Sequence, residues 1–288
     1  MLQPDRHATL LWFRLRPFLD HAGRNRAIPI LMYHGVSDRD DMHRLSYFVT
    51  NTRPEVFRKH MEYLAREGYT VVRLGDVQAM LNTPVNGDNG KYVAITFDDG
   101  FADFHTHAYP ILEKFGHAAT VFLPTAFISD DQGEDPGREY LTWQQVRALA
   151  GKGVEFGSHT VTHRQLRSES TEEIENELRN SREEIKKQAD LDVKYFSYPY
   201  AFPDDDDRFK ENLQRILTRS GYEIGVSTRI GCAARGDNPF YIKRLPVNSF
   251  DDIAFFKAKL EGAYDWLHAV QYASKSFRNR LKGKRTKR

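Results

Sequence analysis

With a single cysteine, Cys232, the 288-residue chain can form no internal disulfide and can build no structural zinc site of several thiolates. Any metal must therefore be held by His, Asp or Glu. Long apolar runs are missing too: nothing approaches the roughly 18 residues of a membrane-spanning helix. The stretch Ala8 to Phe13 is cut by Arg14 before it acquires the length and small-residue end of a secretory signal. The expected location is the cytoplasm, with peripheral attachment at the inner membrane surface as a refinement. There is no internal repeat and no long low-complexity linker. Acids are absent from residues 275–288, which hold Lys275, Arg278, Arg280, Lys282, Lys284, Arg285, Lys287 and Arg288. The chain's net charge is +2, so without those eight cations the remainder stands at −6. Such a tail suits weak contact with an anionic membrane, at about 1 kcal/mol per basic residue near the surface. A specific nucleic-acid partner is not expected.

What is present is the composition of a folded globular protein, 40% hydrophobic and 28% charged, with length for one large domain or two small ones. Short β-rich runs at 28–33, 69–72, 92–97, 118–123, 154–156, 195–198, 222–226 and 242–247 alternate with amphipathic stretches at 54–66, 75–81, 104–115, 142–150, 171–189, 208–220 and 251–260. Most of the β runs are almost continuously apolar, as strands covered on both faces should be. The rhythm predicts an α/β fold, a (β/α) barrel with a doubly wound open sheet as the alternative, because pattern alone does not reveal closure. The expected organisation is a helical extension over 1–27, the barrel over 28–262, and a C-terminal helix with its basic tail over 263–288.

In barrels of this kind function gathers where strands end. His34, the pair Asp98 and Asp99, the pair His159 and His163, and Tyr200 each follow a different predicted strand. Adjacent carboxylates in Thr96-Phe97-Asp98-Asp99-Gly100 point different ways, so one can bind a cation while the other stays free as a base. His159-Thr160-Val161-Thr162-His163 sets two imidazoles on one side of a helical or tightly turned segment, able to share a metal but without the Glu of the zincin pattern. Two His and a carboxylate leave open positions for water and substrate, which points to metal-assisted hydrolysis.

In these two motifs the chain resembles the polysaccharide deacetylases with a NodB-type homology domain, carbohydrate esterase family 4, over about Pro29 to Val247. The resemblance implies a deformed (β/α) barrel that removes an N-acetyl group from an amino sugar. It implies Asp99, His159 and His163 as ligands of a divalent metal, usually Zn²⁺, with Co²⁺, Ni²⁺ or Fe²⁺ also compatible with such donors, and Asp98 as general base. The family's Arg-x-Pro-Tyr motif reads Ser197-Tyr198-Pro199-Tyr200 here. Pro199 and Tyr200 are then expected in the substrate groove; in the family that Arg orients the catalytic base, and Arg244 is expected as its substitute, grouped with the substrate-binding residues. The late Leu-x-His motif has no counterpart. His34, in Leu31-Met32-Tyr33-His34-Gly35, is the expected general acid, whereas His268, His105 and His107 read as structural or surface residues and Asp204 to Asp207 as an acidic helix start. The expected substrate is an acetylated amino sugar in a polysaccharide, a lipid-linked glycan or a bacterial cell-surface glycan precursor. The alternatives are a catalytically degenerate carbohydrate-binding protein and an amide hydrolase on non-sugar substrates.

Overall fold

The computed structural model describes residues 4–15, 27–39, 49–83, 90–131, 139–268 and 270. Eight parallel strands make the central sheet: β1 (Ile30–Tyr33), β2 (Tyr69–Val71), β3 (Lys91–Phe97), β4 (Ala119–Leu123), β5 (Val154–Ser158), β6 (Tyr195–Ser197), β7 (Ile224–Ile230) and β8 (Ile242–Pro246). Their order runs β1-β8-β7-β6-β5-β4-β3, and β1 pairs with β3 in register from Ile30 with Ala94 to Tyr33 with Phe97. Seven strands thus close into a barrel, which excludes the open sheet. β2 stays outside the closure, pairing only with Lys91–Val93 at the start of β3.

The eight anticipated β runs are all strands. The largest displacement is in β7, which continues through Ser227, Thr228 and Arg229 beyond the apolar run that marked it. Those polar residues stand at the barrel's functional end, where the register against β8 also shifts.

The helices are α1 (Pro4–Leu15), α2 (Pro54–Arg66), α3 (Leu74–Asn82), α4 (Tyr109–Phe115), α5 (Trp143–Leu149), α6 (Thr171–Ala189), α7 (Asp207–Arg219) and α8 (Ile253–Leu260). Their ends follow from local chemistry. Thr142 and Gln145 close a reciprocal capping box at α5, as do Ser170 and Glu173 at α6. Asp206 caps α7 by accepting from the Phe209 N–H, so the acidic run does start a helix. Gly116 ends α4 at φ 64°, a conformation that costs a residue with Cβ. The helix expected over 104–115 begins as a wider turn in which the Tyr109 N–H reaches the Phe104 carbonyl.

Helix packing supplies the core. In α2, Phe57, Met61 and Leu64 form one stripe, spaced three and four apart, against Tyr33, Phe97 and Phe104. Each such buried side chain contributes about 1.5–3 kcal/mol. Two short ladders, Ala27–Ile28 with Ala233–Ala234 and Gly35–Val36 with Asn51–Thr52, tie connecting segments to the barrel.

Candidate metal centre

Closure of the barrel brings to one rim the residues that follow β1, β3, β5 and β6. Asp99 Oδ1 lies 3.4 Å from His159 Nε2 and 3.2 Å from His163 Nε2, and the two imidazole nitrogens are 3.2 Å apart. Among the described residues this is the one group of three His, Cys, Asp or Glu side chains with donor atoms close enough to hold a metal ion, all within 4.8 Å of one another.

The backbone is bent to achieve this. Five described non-glycine residues have a left-handed φ, and four belong to the site: Asp99 (70°), Thr160 (70°), His163 (56°) and Tyr200 (59°). Such conformations cost on the order of 1–3 kcal/mol each and persist where the surroundings enforce them. The segment from His159 to His163 is therefore a tight turn, not a helix. Glu177, projecting from α6, enforces it: its carboxylate accepts from the Val161 and Thr162 N–H groups (2.8 and 2.9 Å) and from the Thr162 hydroxyl (2.7 Å). The Thr160 hydroxyl accepts from the His163 N–H, and Ser158 Oγ accepts from the Thr160 N–H. Nothing in the sequence marks Glu177, because it lies in the middle of a helix, far from either motif.

Electrostatics match a cation. His159 is buried, and its Nδ1–H donates to the Ser197 carbonyl at 2.8 Å, which leaves Nε2 with its lone pair toward Asp99. Burial opposes charge on His159, but Asp98 and Asp99 outweigh it and raise the pKa. Burial would likewise raise the Asp99 carboxyl; the adjacent His159 and His163 imidazoles, with His34, hold it well below the usual range. Two imidazole nitrogens and one ionised carboxylate, fixed by strained backbone, fit a divalent cation of the zinc type.

Asp98 faces the other way, into the barrel. It is 3% exposed and receives a two-point salt bridge from Arg244, Nη1 to Oδ1 at 2.8 Å and Nη2 to Oδ2 at 2.7 Å. Arg244 is completely buried. Its other bonds reach Thr96 on β3, the Ser197 hydroxyl on β6 and the Ser227 carbonyl on β7, and it lies 5.8 Å from the Phe122 ring on β4. It therefore fills the barrel interior. Its burial takes Arg244 out of any open groove, and its contact is with Asp98, as expected of a substitute for the missing Arg. Ser197, which stands at the family's Arg position, donates its hydroxyl to Asp98 Oδ1 at 3.0 Å while accepting from Arg244. Burial pushes the Asp98 pKa up, but Arg244, with His159 and His34, brings it down to about 2.

His34 belongs to the same cluster. Burial lowers its pKa against the opposing charges of Asp99 and Asp98. Tyr200 is exposed, its ring centroid 4.8 Å from that of His163, whereas Pro199 is buried, so of this pair only Tyr200 faces the groove. On the other side, Thr125 and Ala126 donate to the carbonyls of Thr160 and Val161, anchoring Phe127 beside the metal turn. Phe127 stacks on Tyr140, and Tyr140 meets Phe101 at a tilt, with centroids 5.0 and 5.3 Å apart. Beyond this row a polar cavity of about 300 Å³ is lined by Ser37, Arg39, Asp103, Thr106, His107 and Glu139. His107, expected as a surface residue, is exposed and forms one of its walls. Ser37 and Ala102, which both line this cavity, stand three residues after His34 and Asp99, so it opens within about 11 Å of the centre along the chain.

Comparison with known proteins agrees with this geometry. Residues 86–225 match the family model described as polysaccharide deacetylase. Bacillus subtilis YxkH, named as a polysaccharide deacetylase, is 28% identical over 234 residues, covering 81% of this chain and 76% of YxkH. The poly-beta-1,6-N-acetyl-D-glucosamine N-deacetylase of Escherichia coli is 30% identical over 142 residues, 45% of this chain but only 20% of that enzyme. Among solved structures, the Streptococcus pyogenes deacetylase PplD, in complex with acetate, superposes with a TM-score of 0.68 at 25% identity over 83% of this chain and 99% of that one. With the rim motifs, the closed barrel and these relatives in agreement, residues 86–225 form a domain of the polysaccharide deacetylase family, and the chain as a whole is similar to deacetylases.

Proposed function

We propose that this chain is a metal-dependent N-deacetylase that hydrolyses the acetamido group of an amino sugar within a glycan or glycan precursor. The observation that carries the reading is the convergence of Asp99, His159 and His163 beside an ionised, immobilised Asp98. A divalent cation held by those three residues would supply Lewis acidity, lowering the pKa of water toward about 7 and polarising the amide carbonyl.

The chain's own groups divide the remaining work. Asp98, ionised at neutral pH, takes the proton of the attacking water. Arg244 and Ser197 fix the direction of its carboxylate, and the same pairing weakens it as a base, so its task suits a water already acidified. His34, beside both carboxylates and held neutral at rest by burial, passes to the departing amine the proton that Asp98 has taken from the water. Glu177 holds the metal turn. Its replacement by Gln should weaken metal affinity by about 10–100-fold, the usual effect of losing an outer support, which titration against a zinc indicator would read.

A sugar substrate is supported by the exposed faces of Tyr200 and Phe127 on either side of the centre and by the polar cavity beyond, which offers hydroxyl, carboxylate, guanidinium and imidazole groups to a polyhydroxylated ligand. Arg244 on Asp98 answers one of the two motives for a non-catalytic reading, the absent Arg of the third motif, the other being the absent Leu-x-His motif. The test is acetate release from N-acetylglucosamine oligomers of increasing length, with small cyclic amides in parallel. We expect turnover of the oligomers that Asp98→Asn abolishes; turnover of the cyclic amides alone would overturn the sugar reading.

A further inference from the structure

Helix α1 turns much of its apolar surface outward. Three of its polar residues face the protein: Arg6 pairs with Asp252 at the start of α8, the Tyr264 hydroxyl donates to Asp5 at 2.8 Å, and the Trp266 indole N–H donates to the buried Thr9 hydroxyl at 3.1 Å. Leu10 and Phe13 are half-buried beside them, but the remaining large apolar residues face water. Ala8, Leu11, Trp12 and Leu15 share the outward stripe, with Leu11 61%, Trp12 44% and Leu15 47% exposed. Half of the six large apolar side chains exposed among the described residues thus lie on this one short helix. A surface helix ordinarily turns its apolar stripe inward, and a contiguous apolar patch directed at solvent marks an interaction surface.

Charge identifies the partner. The sequence continuing from this helix, 14–26, holds Arg14, Arg16, Arg24 and Arg26 against one acid, Asp20. The segment that Trp266 docks onto α1 leads into the sequence 275–288, with its eight cations and no acid. An apolar stripe in a chain that also carries these two basic runs combines the two signals that hold a protein stably on an anionic bilayer, buried apolar area and attraction to lipid headgroups. We propose that α1 lies in the plane of an anionic membrane, with Leu11, Trp12 and Leu15 entering the headgroup boundary, an attachment that the positive charge of the chain's basic sequence favours. The inference uses no residue of the metal centre and stands apart from the deacetylase reading.

The experiment is co-sedimentation of the full chain with vesicles of phosphatidylcholine alone or with about 30% phosphatidylglycerol, alongside sizing of the lipid-free protein. We expect binding to the anionic vesicles only, weakened by salt, and at least about tenfold weaker for the triple variant Leu11→Ser, Trp12→Ser, Leu15→Ser. Ala8→Glu provides a second variant that removes no apolar packing, keeps good helix propensity and turns a negative charge toward the lipid; it should weaken binding too. Unchanged melting temperatures establish that both variants fold. Equal binding by native and variant proteins, or equal binding to neutral and anionic vesicles, would overturn the proposal. So would a native dimer that the triple variant converts to a monomer, since the stripe would then face a second copy of the chain.

Discussion

Arg244 with Asp98 and Lys259 with Asp251 are the two fully buried ion pairs among the described residues, and they are built for different ends. The first lies inside the barrel, its carboxylate gripped at both oxygens by a planar guanidinium and steadied by Ser197, immediately beside the metal triad. The second lies in the seam between the end of β8, α8 and α2. Lys259 meets both Asp251 oxygens at 2.8 and 2.9 Å and the Pro246 carbonyl at 2.7 Å, with its ammonium over the rings of Phe255 and Tyr264. The Asp251 carbonyl accepts from His60 Nε2 at 2.6 Å, and His60 Nδ1 accepts from the Tyr33 hydroxyl at 3.0 Å. Both pairs are buried and satisfied, yet only one neighbours a cluster with a reason to hold a cation. Burial of charge alone does not mark chemistry; position relative to the strand ends does.

Substitutions should separate the two. Asp98→Asn is expected to lower turnover by about 10²–10⁴-fold, the range of a lost general base, while metal content is kept; steady-state acetate release with metal analysis reads both. Asp251→Asn should do the reverse. Leaving Lys259 buried without its counter-charge costs about 3–5 kcal/mol of stability, seen as a lower urea midpoint, whereas the activity of the molecules that remain folded is preserved. If Asp251→Asn instead abolished activity without loss of stability, the distinction between the pairs would fail.

The seam carries a pH signature. Burial, with Lys259 adding to it, lowers the His60 pKa to about 4, against about 6.5 in the unfolded chain. Between those values the unfolded chain binds more protons, so stability is full above about pH 6.5 and falls as the pH drops toward 4, by about 3 kcal/mol in all. His60→Gln should flatten that part of a stability–pH profile while lowering stability at pH 7; an unchanged slope would remove His60 from the account.

The finest distinction lies within the proposed catalytic pair, Arg244 and Asp98. Arg244→Ser should inactivate the enzyme, and adding Ser197→Arg, which returns the cation to the position it holds in the family, should recover about tenfold in turnover, close to one charge-assisted hydrogen bond. No recovery would mean that Arg244 serves the barrel interior more than it serves Asp98.

Much of this was legible in the sequence because apolar strands ending in reactive residues are a local pattern. The eight strand runs, the seven expected helices, the Asp98-Asp99 and His159–His163 motifs and the α5 capping box all announce themselves within a few residues. Closure, by contrast, depends on β1 meeting β3 across sixty residues, and periodicity is blind to it. Arg244 was visible as a cation near a strand, but its direction was not, since inward and outward positions alternate and only the closed barrel makes an inward Arg meet Asp98. Glu177 left no local trace. Asp204, read with its acidic neighbours as part of a helix start, is instead buried against Arg229 and His268 at 2.8 and 3.3 Å, because the 200–207 loop folds back over residues distant in sequence.

The most direct test of the central claim is a joint count of bound zinc and released acetate in native protein, His159→Ala and Asp98→Asn, each purified without chelator and supplied with Zn²⁺. The account predicts about one metal per chain in the native protein and in Asp98→Asn but none in His159→Ala, with acetate released by the native protein alone. Full zinc and turnover in His159→Ala, or no metal in the native protein, would contradict it.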